Sequence, residues 1–279
     1  MEPFPSPASR SASERGAVEL DSFRLRELIE ARTPARLLVG RAGPAYRTIT
    51  QLELRRDHAS AVDAVDWEID LERDFGSEFL ERWHLFEVRT RAQTKLEHLM
   101  RPDLGRRLED AARQTIAKRC PPGTDLQVVI GDGLSGAAVV AQVPRLLPLL
   151  RIEADRRAWS FGHPFLVRYC RVGTLNDLGE ILGAAIIVLL IGERPGLATA
   201  ESLSAYMAYR PQPGHTDAER NLISNIHARG VAPDLAAHRI AVLAEQMRQA
   251  KTSGIAVKEN LTGLTKPPGQ PWIPLKASE

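Results

Sequence analysis

Residues 185–191, Ala-Ile-Ile-Val-Leu-Leu-Ile, constrain the architecture of this chain more than any other segment. Seven apolar residues are far too few for a membrane span, and a strand with no polar alternate has no face to give to water. Such a strand must be covered on both sides, which requires helices packed on both faces of a sheet. The flanking sequence supplies them. After the breaker pair Pro121-Pro122, DLQVVIGDGLSGAAV reads as a strand that stops at glycines and enters an alanine-rich helix. Residues 165–169, RVGTLND and residues 178–183 repeat the order strand, loop, helix, and residues 185–191 then run into GERPGL. The expected fold class is α/β, a parallel sheet with flanking helices. A shorter strand over 205–209, a polar loop QPGHTDAERN and a long helix over about 232–251 follow, with Gly254 as its terminator.

The first hundred residues read differently. DSFRLRELIEAR has helical apolar spacing behind a capping Asp21, Thr33-Pro34 can open a second short helix, and Gly43-Pro44 makes a turn. Residues 78–100 place Phe79, Leu80, Trp83, Phe86 and Val88 on one apolar stripe, again helical in pattern. The expected organisation is a flexible arm over 1–16, a helical N-terminal domain over 17–115, the α/β domain over 116–260, and an extended tail over 261–279. The arm is rich in Pro, Ser, Ala and Arg, with too few bulky apolar side chains to offset the entropy of folding, and its prolines make the tail read as a loose extension.

Composition excludes several classes of function. A net charge of +2 leaves no concentrated basic footprint, so nucleic acid is not an expected partner. No apolar run reaches membrane length and no secretory leader is visible, so the expected compartment is the cytoplasm. Cys120 and Cys170 have no CxxC neighbour and read as free thiols. The seven histidines form no i, i+4 ligand pair and read as surface or satisfied groups. The carboxylates Asp63, Asp66, Glu68, Asp70, Glu72 and Asp74 lack a calcium-loop spelling and read as a solvated face. No nucleophile motif occurs, so no catalytic residue and no metal ligand is expected.

Two signals point to a ligand. GDGLSG at 131–136 has the G-x-G-x-x-G spelling between strand and helix, but no acidic residue for a ribose closes the following strand. A glycine turn for close helix packing is the competing explanation. The loops GDGLSG, RVGTLND and GERPGL should also lie together at the carboxyl ends of parallel strands, where backbone N–H groups and helix N-termini collect ligands. Glu193, directly after the buried strand, could accept hydrogen bonds from ligand amides there, or could simply pair with Arg194.

Longer stretches carry a resemblance. TPARLLVGRAGPAYRT, RRDHASAVDAV, VVIGDGLS, RVGTLNDLGEILGA, LIGERPGLATAESLSAYMAYRP, DAERNLISNIHARG and KTSGIAVK follow in order from Thr33 to Lys258. In this the chain resembles the small subunit of ethanolamine ammonia-lyase. The resemblance implies a helical N-terminal region, 17–115, for partner contact and a Rossmann-like, cobalamin-contacting C-terminal domain, 116–260. It implies a large-subunit partner in a hetero-oligomer with several copies of each chain, and adenosylcobalamin shared between the subunits. The reaction would convert ethanolamine to acetaldehyde and ammonia, with catalytic residues on the large subunit. No Asp-x-His-x-x-Gly motif occurs, so cobalamin's own base would stay on cobalt. Cofactor contacts would fall on Val172, Glu193 and Leu222; the last departs from the family, where cysteine is common, so only backbone or apolar contact would survive. A bacterial microcompartment is a second compartment the resemblance allows. The competing functions are an NAD(P)-binding oxidoreductase using GDGLSG and a noncatalytic interaction protein that has lost cofactor contact.

Overall fold

The computed structural model describes residues 24–25, 27–29, 31, 36–37, 39–196 and 199–260. The expected arm, the short helix opening at Thr33 and the tail lie outside the described residues. The chain forms two compact units, Met1–Asp57 and His58–Glu279.

In the first unit, residues 24–25 and 27–29 are helical. Strands β1 (Arg41–Ala42) and β2 (Ala45–Tyr46) pair antiparallel around Gly43, whose φ of +61° suits the tight turn that the Gly43-Pro44 spelling predicts. Arg36 pairs with Asp57. Leu25, Leu28, Leu37, Ile49 and Leu52 are exposed. Helix α1 covers Thr48–Asp66.

The second unit continues with α2 (Leu71–Phe75), α3 (Ser77–Trp83), β3 (Glu87–Arg89), α4 (Lys95–Met100) and α5 (Asp110–Arg119). Then come β4 (Leu126–Gly131), α6 (Gly136–Arg156), β5 (Phe165–Arg168), α7 (Thr174–Leu182), β6 (Ile186–Gly192), β7 (Leu203–Tyr209), β8 (Asn221–Ile226) and α8 (Pro233–Ala250). One six-stranded sheet has the order β3-β5-β4-β6-β7-β8. All seven residues of β6 are buried, as a strand covered on both faces must be. Its side chains alternate between two cores. Ile186, Val188 and Leu190 join Val128, Ile130, Leu147 and Leu150 with α6 and α8. Ile187, Leu189 and Ile191 join Val129, Phe165, Ile116 and Leu178 with α5 and α7. Each fully buried side chain of this size contributes about 1.5–3 kcal/mol by leaving water.

The sheet corrects the expected all-parallel arrangement. β3, β5, β4 and β6 are parallel, but β7 and β8 run antiparallel to their neighbours. A parallel return needs a crossover of a dozen or more residues, usually a helix, and the link from Gly192 to Leu203 is shorter than that. The stripe read as one helix over 78–100 also divides. Phe79, Leu80 and Trp83 lie on α3, whereas Val88 lies on β3, the sheet's edge strand beside β5. His84, at φ 46° in the left-handed region, stops α3 and redirects the chain. β8 was hidden for another reason: Asn221, Ser224 and Asn225 interrupt its apolar residues because it is the other edge strand. α7 begins at Thr174, inside the segment read as loop.

Candidate functional site

The carboxyl ends of β4, β5 and β6 meet as the sequence predicts. Asp132 N–H donates to Val167 O at 2.9 Å, and Cys170 N–H donates to Asp132 O at 2.7 Å, so the loops after β4 and β5 are tied by backbone. Tyr169, at φ 55°, turns the chain off β5. The three loops close a cavity of about 190 Å³ whose lining includes Leu134, Val172, Glu193, Arg194, Ser204 and Tyr206. A wider cleft of about 440 Å³ adjoins it and shares Arg171, Val172 and Tyr206.

Glu193 is held by β7 and β8 rather than by Arg194. Ser204 Oγ donates to Glu193 Oε1 at 2.7 Å, the Asn225 N–H donates to the same oxygen at 2.9 Å, and Ser202 Oγ donates to Oε2 at 3.0 Å. The backbone is fixed too, with Glu193 N–H donating to Ser202 O at 3.0 Å. Asn225 reaches Oε1 because β8 carries one extra residue between the pairs Leu203–Ile226 and Ala205–Ile223, and this bulge puts Asn225 at φ 61°. A carboxylate has about four acceptor positions. Three are filled from within the chain, which leaves acceptor capacity on Oε2 in a fixed direction.

Val172 and Glu193 thus line one cavity. Leu222 is not in its wall: it lies on β8, 45% exposed, directly across from Tyr206, which lines both cavities. Sequence reasoning missed Ser202, Ser204, Tyr206 and Asn225, because they meet Glu193 only through the antiparallel return of β7 and β8.

The glycines of GDGLSG have protein neighbours. A Cβ on Gly133 would come within 2.6 Å of Ile191 Cγ1, and one on Gly136 within 2.7 Å of Trp67 Cδ1. Ser135 caps α6 by accepting from Ala138 N–H at 3.2 Å, and donates to Ala200 O at 2.7 Å. The space a dinucleotide would need is filled by packing, and β5 ends in Arg168 where a ribose-binding acid is required. The packing explanation of this spelling is the one the geometry supports.

Behind the loops lies a buried charged group. Asp132 is fully buried, and among the described residues neither carboxylate oxygen accepts a hydrogen bond; its ion-pair partner Arg168 holds Nη1 3.5 Å from Oδ2. Burial pushes its carboxyl up to about 6, against the opposing pull of Lys95 and Arg168. Lys95 donates to Gly133 O at 2.9 Å. His98, read as an ordinary histidine, is fully buried; Nδ1 lies 3.0 Å from Tyr169 O, and burial, with the charges of Arg171 and Lys95, brings it down to about 4. The two groups act on stability with opposite sign. A carboxyl raised on folding contributes stability that is present below about pH 4 and lost as pH rises through 6, whereas a depressed imidazole costs stability as pH falls below 6.5. Asp132→Asn removes only the first. Relative to wild type, its unfolding free energy in urea should move in the variant's favour by about 1 kcal/mol between pH 5 and pH 7.5.

Both thiols are buried, and burial pushes each up to about 12, so neither is an activated nucleophile. Asp70 caps α2 through Arg73 N–H, and Asp74 pairs with Arg73, which accounts for part of the acidic cluster. Among the described residues, no group of three or more His, Cys, Asp or Glu is arranged to hold a metal ion. No described helix is long and apolar enough to cross a membrane.

Fold and site together define a mixed α/β protein whose strand ends form a largely apolar cavity with a prepositioned carboxylate in its wall. Comparison with known proteins makes the class specific. Residues 25–258 match the family described as ethanolamine ammonia-lyase light chain (EutC). The chain is 42% identical to the ethanolamine ammonia-lyase small subunit of Clostridium perfringens over 230 residues, 82% of this chain and 76% of that one. It is 42% identical to the Listeria monocytogenes small subunit over 226 residues, covering 81% and 75%. It is 41% identical to that of Clostridioides difficile over 230 residues, covering 82% and 76%. The chain belongs to the ethanolamine ammonia-lyase light chain family, as its motifs indicated.

Proposed function

We propose that this chain holds base-on adenosylcobalamin against the large subunit of an ethanolamine ammonia-lyase, which converts ethanolamine to acetaldehyde and ammonia. The observation that carries the reading is the convergence of Val172 and Glu193 on one cavity, with Leu222 one strand away across Tyr206. The residues fit the group. A corrin is rimmed by carboxamides, whose N–H groups match the acceptor capacity left on Glu193. Val172 and Leu222 offer apolar contact to the corrin's hydrocarbon edge. A cavity of about 190 Å³ is too small to enclose a corrin, which is what a surface contacting one edge requires.

Bound adenosylcobalamin supplies radical chemistry through homolysis of its cobalt–carbon bond. The role of this chain is to orient and shield: Glu193 is fixed before the ligand arrives, so little ordering entropy is lost on binding. The exposed Leu25, Leu28, Leu37, Ile49 and Leu52 support the reading of the N-terminal region as partner-facing, in a complex with several copies of each chain. The parallel half of the sheet, with a glycine turn leading from β4 into α6, supports the Rossmann-like description of that half.

Ammonia release from ethanolamine with added adenosylcobalamin tests the reading directly. Activity is expected only when this chain and the large subunit are mixed. No release from a folded, associated mixture would overturn it.

A further inference from the structure

β8 runs into a short hub built around His227. Asn225, the bulge residue whose N–H donates to Glu193 Oε1 at 2.9 Å, is exposed and sits at φ 61°. Asparagine enters the left-handed region more readily than most residues, but its own chemistry does not keep it there. Relaxation to ordinary strand geometry would turn that N–H away from the carboxylate. His227, only 4% exposed, pins the residue through a ring whose two nitrogens have different partners. The Arg229 N–H donates to Nδ1 at 3.2 Å, so the proton of the neutral ring is on Nε2. Nε2 then donates to Asn225 Oδ1 at 2.7 Å. Burial and the charge of Arg229 hold the imidazole below its ordinary value, against the pull of Glu193 and Glu201, which keeps the ring neutral.

The rest of the hub closes around the same pair. Asn225 O accepts from Val231 N–H at 2.8 Å, and His227 N–H donates to Val231 O at 3.1 Å. Gly230 lets the loop fold this tightly: a Cβ there would meet Asn225 O at 2.3 Å, and both Asn225 Nδ2 and His227 Nε2 at 2.8 Å. Three hydrogen bonds in series therefore run from the Arg229 N–H through the imidazole and Asn225 to the Glu193 carboxylate. We propose that His227 is a positioning residue for the cofactor site: its Nε2–H locks the β8 bulge that aims Glu193 at its ligand. The inference rests on Glu193 being a cobalamin contact, as proposed above.

The test separates the two ring nitrogens by titrating adenosylcobalamin spectrally into the assembled two-subunit complex, without turnover. The side-chain amide of glutamine can replace Nε2 as the donor to Asn225, whereas the shorter asparagine reaches only the position of Nδ1. His227→Asn should weaken binding about 3- to 10-fold, the range of one lost hydrogen bond, and His227→Gln should restore it to within about twofold of wild type. Asn225→Gly keeps a backbone suited to positive φ but removes Oδ1, so in that background His227→Asn should have no further effect. Equal weakening by both His227 variants, an asparagine effect that persists in Asn225→Gly, or a lowered melting temperature with unchanged affinity overturns the inference. His227→Ala, which can make neither bond, repeats the comparison if His227→Asn does not assemble. If the wild-type complex binds no adenosylcobalamin, the cofactor reading fails, and amide hydrogen exchange over residues 221–230 decides the role of His227 alone. Exchange about tenfold faster in His227→Asn and restored in His227→Gln supports the lock, and unchanged exchange overturns it.

Discussion

Glu193→Ala should lower the affinity of the assembled complex for adenosylcobalamin by about 100-fold and lower the melting temperature of this chain by roughly 2–10 °C. The two effects have separate origins. Removing the carboxylate leaves the N–H of exposed Asn225 to water and strands the buried hydroxyls of Ser202 and Ser204, of which Ser204 is 2% exposed. Stranded buried donors cost about 1–3 kcal/mol, and a chain of this size loses about 2–4 °C per kcal/mol. The affinity loss comes from the acceptor capacity left on Oε2, together with the altered direction of the loop after β6. Glu193→Gln separates the two. Its amide oxygen can keep the donors at Oε1 and Ser202 Oγ can turn to accept from the new NH2, but the charge is gone and a ligand amide N–H no longer finds an acceptor there. Stability should fall by about half as much, while affinity still falls about tenfold. Melting losses in both variants with unchanged cofactor affinity would show that Glu193 only joins β6 to β7 and β8.

What could be read from the sequence follows from what each segment must do with water. The segment 185–191 was unambiguous because a strand with no polar alternate has one environment available. β8 was illegible for the converse reason: an edge strand with Asn221, Ser224 and Asn225 has the composition of a loop, and only pairing with β7 distinguishes it. β3 has three residues, too few for a period to show. The antiparallel turn at β7 depended on connection length rather than on residue type. Glu193 could be singled out by its place after a buried strand, but its three donors could not, since Ser202 and Ser204 precede or open β7 and Asn225 sits on a bulge. GDGLSG shows that a spelling and its environment are separate facts, because Ile191 and Trp67 occupy the space its glycines leave.

Gly192→Ala should be the most disruptive single-methyl change at this edge. Gly192 ends β6, and a Cβ there would lie 1.9 Å from Ser135 O and 2.8 Å from Ser135 C, both backbone atoms. Ser135 has no freedom to retreat. Its side chain caps α6, its hydroxyl donates to Ala200 O, and the loop before it is tied through Asp132 to β5. Relief must come from a shift of the chain at Gly192 itself, which carries Glu193 away from Ser202 and Ser204. Overpacking of this kind costs about 1–3 kcal/mol, to which the lost Glu193 bonds add, so a fall of roughly 6–12 °C in melting temperature is expected. Cofactor affinity should fall with it. Gly183→Ala provides the control: Gly183 closes α7 at φ +57°, and its Cβ would meet nothing within 4 Å. Only left-handed strain, about 1 kcal/mol, acts there, with no path to Glu193. If Gly192→Ala proved as mild as Gly183→Ala and bound adenosylcobalamin normally, close approach of β6 to the glycine loop would not be what fixes the carboxylate.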